Sequence, residues 1–165
     1  MARTARNALR LLSTQMQAET GLPYTVAAVA ERENAALAAI TVTQIVSQHV
    51  AADLLEKSVG AQYPRVHLYC EKITNHLKEK FRTFSGTVRL VAEVRASQDR
   101  VENLEPSLLL YVDAVTDVLD SHRGDWGEGY FFTGGYEVTF SPMKHGGKNF
   151  LQSAKISFDL NASQG

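Results

Sequence analysis

Residues 88–95 read V-R-L-V-A-E-V-R, and this stretch decides the fold because apolar side chains recur at every second position. A period of two is that of a β-strand, in which successive side chains point to opposite faces of the sheet. The stretch therefore predicts a strand with one buried face and one largely polar face. The side chains expected on the buried face are Val88, Leu90, Ala92 and Val94.

An earlier run, residues 66–71, alternates in the same way, with apolar side chains at 66, 68 and 70. Ser85 and Gly86 lie before the second run and are typical of a turn. The two runs together predict a large antiparallel hairpin. The polar residues 73–82 between them fit either a helical turn or a continuation of the first strand.

Two segments have the three- and four-residue spacing of amphipathic helices. Residues 2–19 carry one apolar stripe and residues 104–121 carry a second, clearer one. For the second helix, Asn103 is a plausible N-cap, Pro106 fits the first turn, and Gly124 suits the C-terminal cap. The acidic side chains of this helix are expected on its solvated side.

The C-terminal part of the chain predicts a second hairpin. Residues 136–141 and 154–160 both alternate between apolar and polar side chains. A glycine-rich, aromatic segment, residues 124–135, comes before them, and the loop K-H-G-G-K at residues 144–148 separates them.

The order of elements predicts an α+β fold with the sequence α-β-β-α-β-β. Each strand has one apolar face, so we expect a four-stranded, mainly antiparallel sheet with two helices packed on one face. The 165 residues fit a single domain. Within residues 20–62, the alanine-rich stretch 27–40 could be helix and the β-branched stretch 40–46 could be strand. We interpret the segment as an extended arm or a long loop with some local order.

The composition is that of an ordinary globular protein and gives no sign of a charged partner. Lys and Arg total 17 against 18 for Asp and Glu, a formal net charge of -1, which gives no global reason to expect nucleic-acid binding. The one cysteine, Cys70, is expected to be buried and inert. No secretory signal and no membrane span are predicted, so we expect a cytosol-like compartment.

The motifs of common enzymes do not occur in the sequence. The five histidines show no metal-ligand spacing, and neither a nucleophile elbow nor a phosphate-binding loop is present. Glu71 and Glu93 lie on neighbouring predicted strands, but each has a basic residue close in sequence, which favours solvated ion pairs or subunit contacts. We therefore predict that the chain is not an enzyme and needs no cofactor or metal.

Three features predict instead that the chain assembles with copies of itself and with other proteins: the unpatterned arm, a cluster of loop aromatics and a basic segment. The acidic helix of a neighbouring copy is the natural counterpart of the basic segment, and such contacts close into rings. The alternatives are that an aromatic such as Phe131 or Phe132 fills the core and that the charges are solvated. The candidate interface residues are Lys72, Lys78, Lys80, Arg82, Trp126, Tyr130, Phe131, Lys144, Lys148, Asp113, Asp117 and Asp120.

Four passages of the chain resemble a known family, the tail terminator or tail completion proteins at the neck of long-tailed bacteriophages. The resemblance covers residues 63–160, about the last 60% of the chain. The passages are Y-P-R-V-H-L-Y at 63–69, E-K-F-R-T-F-S-G at 79–86, G-D-W-G at 124–127 and H-G-G-K-N-F-L-Q-S-A at 145–154.

The resemblance implies a structural virion subunit that forms a ring, commonly a hexamer, on the end of the tail tube. Such a ring stops tube polymerisation and offers a docking surface to the connector or stopper protein of the head, while DNA passes through its lumen without sequence-specific binding. In contractile-tailed relatives it also contacts the sheath. The implied location is the virion tail or neck, after assembly in the host cytoplasm.

Two other interpretations remain open from the sequence. One is a different neck component, such as a tail tube or adaptor subunit. The other is a small enzyme on a ferredoxin-like sheet, which predicts a deep pocket with converging polar groups near Glu71, Glu93 or His145.

Overall fold

The structure, a computed structural model, describes residues 2–51, 62–146 and 148–165. Its fold is α+β, as the sequence predicted. Within the described residues the helices are α1 (Ala2–Gln17), α2 (Leu22–Arg32) and α3 (Val101–Asp120), with a short 3-10 turn at Val42–Gln44. The strands are β1 (Ile45–Val46), β2 (Arg65–Asn75), β3 (Phe84–Gln98), β4 (Gly124–Gly127), β5 (Tyr130–Phe132), β6 (Glu137–Phe140), β7 (Lys144–Gly146) and β8 (Asn149–Gln164).

The strands form one mixed sheet in the order β1-β2-β3-β8-β5-β4, with β6 and β7 also paired to β8. The β1–β2 pair is parallel, and the other pairs are antiparallel. The centre of the sheet is the β3–β8 pair, whose register runs without a break from Phe84 opposite Gln164 to Gln98 opposite Phe150.

The predicted four-stranded sheet with two helices is therefore too small. Both predicted hairpins are present, as β2–β3 and as β6–β8. The strands that the sequence did not reveal, β1, β4, β5 and β7, have two to four residues each. A segment that short does not complete enough periods to be recognised by alternation.

The turn of the first hairpin lies earlier than predicted. Ser85 and Gly86 belong to β3, and residues 76–83 make the connection. Gly86 is required by close backbone contact, because a Cβ atom there would lie 1.9 Å from the carbonyl oxygen of Thr74 on the paired strand. β2 itself continues to Asn75, so the polar residues after Ile73 begin as strand.

One face of the sheet packs against the helices and forms the core. The buried side chains of β3 on this face are the alternating apolar set that the sequence predicted, and they meet apolar side chains of β2 and β8. Both predicted helices are present, and a third joins the same core. The largest fully buried side chains are Tyr130, Phe132, Phe158, Leu12, Met16, Leu22, Ile40, Leu68, Leu90, Leu104, Leu108 and Leu119.

The ends of α3 differ from the prediction by a few residues. The helix begins at Val101, with Arg100 at the N-cap, so Asn103 lies inside the first turn and Pro106 lies beyond it, inside the helix. It ends at Asp120, and Gly124 starts β4 with a positive φ of 108°. Glycine adopts that backbone conformation without the steric cost that a Cβ atom would add.

The prediction that residues 20–62 form an arm or a long loop is wrong for the described part of that segment. Leu22–Arg32 is a helix whose Leu22, Val26 and Val29 are buried in the core. Ile40 is also buried, and Ile45–Val46 joins the sheet. Residues 52–61 lie outside the described residues.

The docking of α2 can be tested through the stability of the protein. Replacing the fully buried Leu22 in Leu22→Ala should lower the free energy of unfolding by about 2–5 kcal/mol, because it removes buried methyl groups and leaves a cavity. The matched control Tyr24→Ala, at an exposed position of the same helix, should change it by less than about 0.5 kcal/mol. Urea unfolding followed by circular dichroism measures both, and equal small effects would contradict a packed α2.

Candidate subunit interface

The second face of the sheet points away from the helices and carries a network of ion pairs around Arg89. The guanidinium group of Arg89 lies 3.1 Å from Glu71, 3.0 Å from Glu137 and 3.4 Å from Asp159. These partners come from β2, β6 and β8, so one cation ties four strands together. Because one guanidinium faces three carboxylates, this part of the face is acidic.

A second charge cluster on the same face is buried. Arg95 donates through Nε to Glu93 Oε2 at 2.6 Å and through Nη2 to the carbonyl oxygen of Val50. Tyr69 donates to the other carboxylate oxygen of Glu93 at 3.5 Å. Glu93, Arg95 and the neighbouring His67 are all at most 5% exposed. The ion pair of Glu93, which the sequence predicted to be solvated, is therefore buried.

The cover over this cluster comes from the residues that follow β1. The imidazole ring of His49 stacks on Tyr69, with ring centroids 3.8 Å apart and an angle of 2° between the planes. Val50 supplies the carbonyl group that Arg95 binds. The residues after β1 therefore cross the polar face and exclude water from it.

Burial makes His67 an unusual histidine. Desolvation, and then the positive charges of Arg95 and Arg65, lower its pKa from 6.5 to about 4, against a smaller opposing effect of Glu93. Neither ring nitrogen makes a hydrogen bond of good geometry with the described part of the chain. His67 is thus held neutral at physiological pH.

The β2–β3 loop, residues 76–83, is the most exposed apolar feature of the described chain. Phe81 is fully exposed and Leu77 is 61% exposed. Both have a positive φ, 65° and 49°, which is rare for bulky residues. Lys78, Lys80 and Arg82 lie beside them and are exposed. We call these residues, 77–82, the basic loop.

Side chains at its base hold the basic loop in a defined shape. Asn75 accepts hydrogen bonds from the backbone N–H groups of Leu77 and Ser85, at 3.2 and 3.0 Å, and donates to the Thr83 carbonyl at 3.1 Å. Ser163 of β8 donates to Glu79 at 2.7 Å. The exposure of Phe81 is therefore a property of an anchored loop.

Only one of the predicted interface aromatics is exposed. Trp126 is half-buried, donates to the His122 carbonyl at 2.7 Å and packs edge-on against Phe132 and Phe158. Tyr130 is 1% exposed and cannot meet a partner in this fold. Alternation along β5 is the reason, since its first and third side chains point into the core.

Phe131, the middle residue of β5, points outward and is 48% exposed. It lines an open groove of about 400 Å³ together with Lys78, so it adjoins the basic loop. The sequence left open whether Phe131 or Phe132 fills the core, and the structure shows that Phe132 does.

The predicted basic residues do not form one patch. Lys72 lies on β2 beside the Arg89 ion pairs. Lys144 and Lys148 are exposed at the β7–β8 turn, next to the residues of β8 that pair with the far end of β3. The 15 residues of β3 span about 45 Å, so that turn and the basic loop lie far apart.

The predicted acidic residues of α3 also differ among themselves. Asp113 is exposed, whereas Asp117 lies 3.6 Å from Arg32 and Asp120 lies 3.0 Å from Arg123. Two of the three carboxylates therefore have partners in their own chain.

The groups considered for an enzyme do not converge. Glu71 pairs with Arg89, Glu93 with Arg95, and the His145 ring lies 5.0 Å from that of Phe150. In residues 2–51, 62–146 and 148–165, no three His, Cys, Asp or Glu side chains are placed to hold a metal ion. Burial raises the pKa of the Cys70 thiol, which disfavours the reactive thiolate. No helix in the described ranges is long and apolar enough to cross a membrane.

Sequence reasoning missed the two residues that stand out most. Phe81 is not among the predicted interface residues, although an aromatic residue between Lys80 and Arg82 in a polar loop is itself a signal of a contact surface. His67 gave no signal, because its complete burial depends on tertiary packing.

The pKa of His67 predicts a stability that depends on pH. The folded pKa, about 4, is below the unfolded value of 6.5, so the unfolded chain binds the proton more tightly and stability is lost as pH falls from 6.5 towards 4. Between pH 7.5 and 5 this loss should be about 2 kcal/mol. Urea unfolding at the two pH values measures it, and His67→Gln should show a correspondingly smaller difference. Equal pH dependence in both proteins would contradict the assignment.

The buried ion pair predicts a strong effect of removing one partner. Arg95→Met removes the buried cation of Glu93, leaves it only the half-exposed Lys155 at 3.8 Å, and should cost about 3–5 kcal/mol of unfolding free energy. The double variant Glu93→Gln/Arg95→Met should recover part of that loss, because no charge remains buried. The exposed Arg6→Met is the control and should change stability by less than about 0.5 kcal/mol. A small effect of Arg95→Met in chemical denaturation would mean that the pair is solvated.

Comparison with known proteins adds no assignment. No protein-family model matches the chain, and no curated protein matches it. The functional interpretation of this chain therefore depends on its sequence motifs and on the surfaces described above.

Proposed function

We propose that this chain is a structural virion subunit of the tail-terminator type. It forms a ring, which we propose to be a hexamer, that caps the phage tail tube, ends tail polymerisation and joins the tail to the head connector. The four motif passages support this proposal. They lie in the β2–β3 hairpin, in β4 and across β7 and the start of β8.

The observation that carries the proposal is the basic loop. Its base is fixed by Asn75 and Ser163, yet it presents Phe81 fully to solvent. Aromatic residues are enriched at the centres of protein interfaces, where they lose solvent contact on binding. A fixed loop of this kind supports a function in which the chain contacts other proteins.

The partners follow from the same proposal. They are further copies of the chain, the tail tube protein, the connector or stopper protein of the head and, in a contractile tail, the sheath. DNA passes through the lumen without sequence-specific contacts, and no cofactor takes part. The site of action is the virion neck, with assembly in the host cytoplasm.

Two other functions have less support. A tube or adaptor subunit would use similar surfaces but would assemble differently. An enzyme on this sheet would need polar groups that converge, whereas Glu71 and Glu93 are each engaged by an arginine in separate clusters.

Capping of tail tubes tests the proposed function. Purified chain is mixed with tubes assembled without a terminator, and negative-stain electron microscopy records tube ends and lengths. We expect one ring of uniform size at one end of each tube and no growth of capped tubes when more tube protein is added. Tubes incubated with buffer are the control and should keep growing.

Other outcomes of this experiment have defined meanings. Indefinite polymerisation of the chain by itself would identify a tube subunit. Failure to bind either end of the tubes would remove the tail-terminator proposal.

A further inference from the structure

We propose that the basic loop of one copy docks on the exposed stripe of α3 in the next copy, so that subunits join head to tail. This inference rests on the proposed ring and names the contact that would build it. The loop supplies an aromatic residue flanked by cations, and the helix supplies apolar residues flanked by carboxylates.

The stripe on α3 is defined by five exposed residues, which we call the acidic stripe. Val101, Glu105, Leu109 and Asp113 follow at four-residue steps, and Glu102 lies beside them. Residues at this spacing lie on one face of a helix. Val101 is 42% and Leu109 is 46% exposed, which is unusual for aliphatic side chains.

The two surfaces are complementary in charge, and their charges are available. Within the described ranges, no ion pair engages Lys78 or Lys80 on the loop. The same holds for Glu102, Glu105 and Asp113 on the stripe. In contrast, Asp117 and Asp120 of the same helix already have partners, so the structure moves the predicted acidic contact towards the start of α3.

A single chain cannot bring its own two surfaces together. The basic loop precedes Phe84, the first residue of β3, whereas Val101 follows the last residue of β3, Gln98, by only three positions. The strand between them is about 45 Å long. A contact between different patches of successive copies is heterologous, and such contacts generate a closed ring when the rotation between copies closes.

The apolar and the charged side chains of the basic loop and the acidic stripe contribute differently to this contact. Burial of Phe81 against Leu109 would provide most of the affinity, because a few large, fully buried side chains dominate most interfaces. The exposed charges would set orientation and speed association, and their effect would weaken with salt. The acidic stripe on the same chain favours a second copy over an anionic partner for the loop.

Charge reversal tests the inference. We expect Lys78→Glu/Lys80→Glu on the loop and Glu105→Lys/Asp113→Lys on the stripe each to weaken self-association at least tenfold. Mixing the two variants should restore association, because one reversed loop then meets one reversed stripe. Glu102 is left unchanged because its charge also stabilises the first turn of α3. Sedimentation velocity measures association, in solution and with tube ends present.

A matched control and a second variant separate docking from general effects. Arg6→Glu reverses one positive charge at an exposed position of α1 that belongs to neither surface, and it should associate like the wild type. Phe81→Ala should weaken association by about 10- to 100-fold, as loss of an aromatic anchor does. Phe81 is fully exposed, so its replacement should leave the fold intact, and circular dichroism checks this.

The outcomes distinguish this inference from the proposed function. Rings that form and cap tubes equally well with either charge reversal would overturn the docking contact and leave the tail-terminator function standing. The docking contact would also be overturned if the loop variant still formed rings but no longer bound tubes. In that case the tube, and not a second copy of the chain, would be the partner of the loop. If the wild-type chain formed no rings, either in solution or on tubes, both the docking contact and the tail-terminator function would be rejected.

Discussion

The pairing of β3 with β8 is the constraint on which the rest of the structure depends. The two strands are joined in an unbroken antiparallel register from Phe84 to Gln98, so they form the long centre of the sheet. Because side chains alternate between faces, this pairing creates an apolar face for the three helices and a polar face on the other side. β2 pairs with β3, and β5, β6 and β7 pair with β8, while β1 and β4 extend the sheet beyond β2 and β5.

The polar face holds two arginines whose ion pairs differ because only one of them is buried. Arg89 and Arg95 point to the same side of β3, six residues apart. Arg89 is partly exposed and gathers three carboxylates, whereas Arg95 is buried, binds the carbonyl group of Val50 and pairs with Glu93. Exposed pairs contribute little stability, while breaking a buried pair is costly.

The candidate interaction surfaces lie where the long strands end. The basic loop extends beyond the start of β3, and the acidic stripe begins just after its end. Rigid strands hold both surfaces at a fixed separation, which suits a subunit that must repeat one contact around a ring. The buried cluster around His67 takes no part in this contact and serves the stability of the sheet.

The sequence by itself determined the elements whose periodicity is local: the alternation in β3 and β8, the stripe of α3 and therefore the α+β class. Only the tertiary structure decided which exposed or polar residues matter. The arm assigned to residues 20–62 contains a packed helix, because Leu22 finds its neighbours on distant elements. His67 is completely buried although its position in β2 gives no sign of it, and Phe81 is left outside by the hydrogen bonds of Asn75. Periodicity reports which face a side chain lies on, but burial depends on what covers that face, and distant parts of the chain provide the cover.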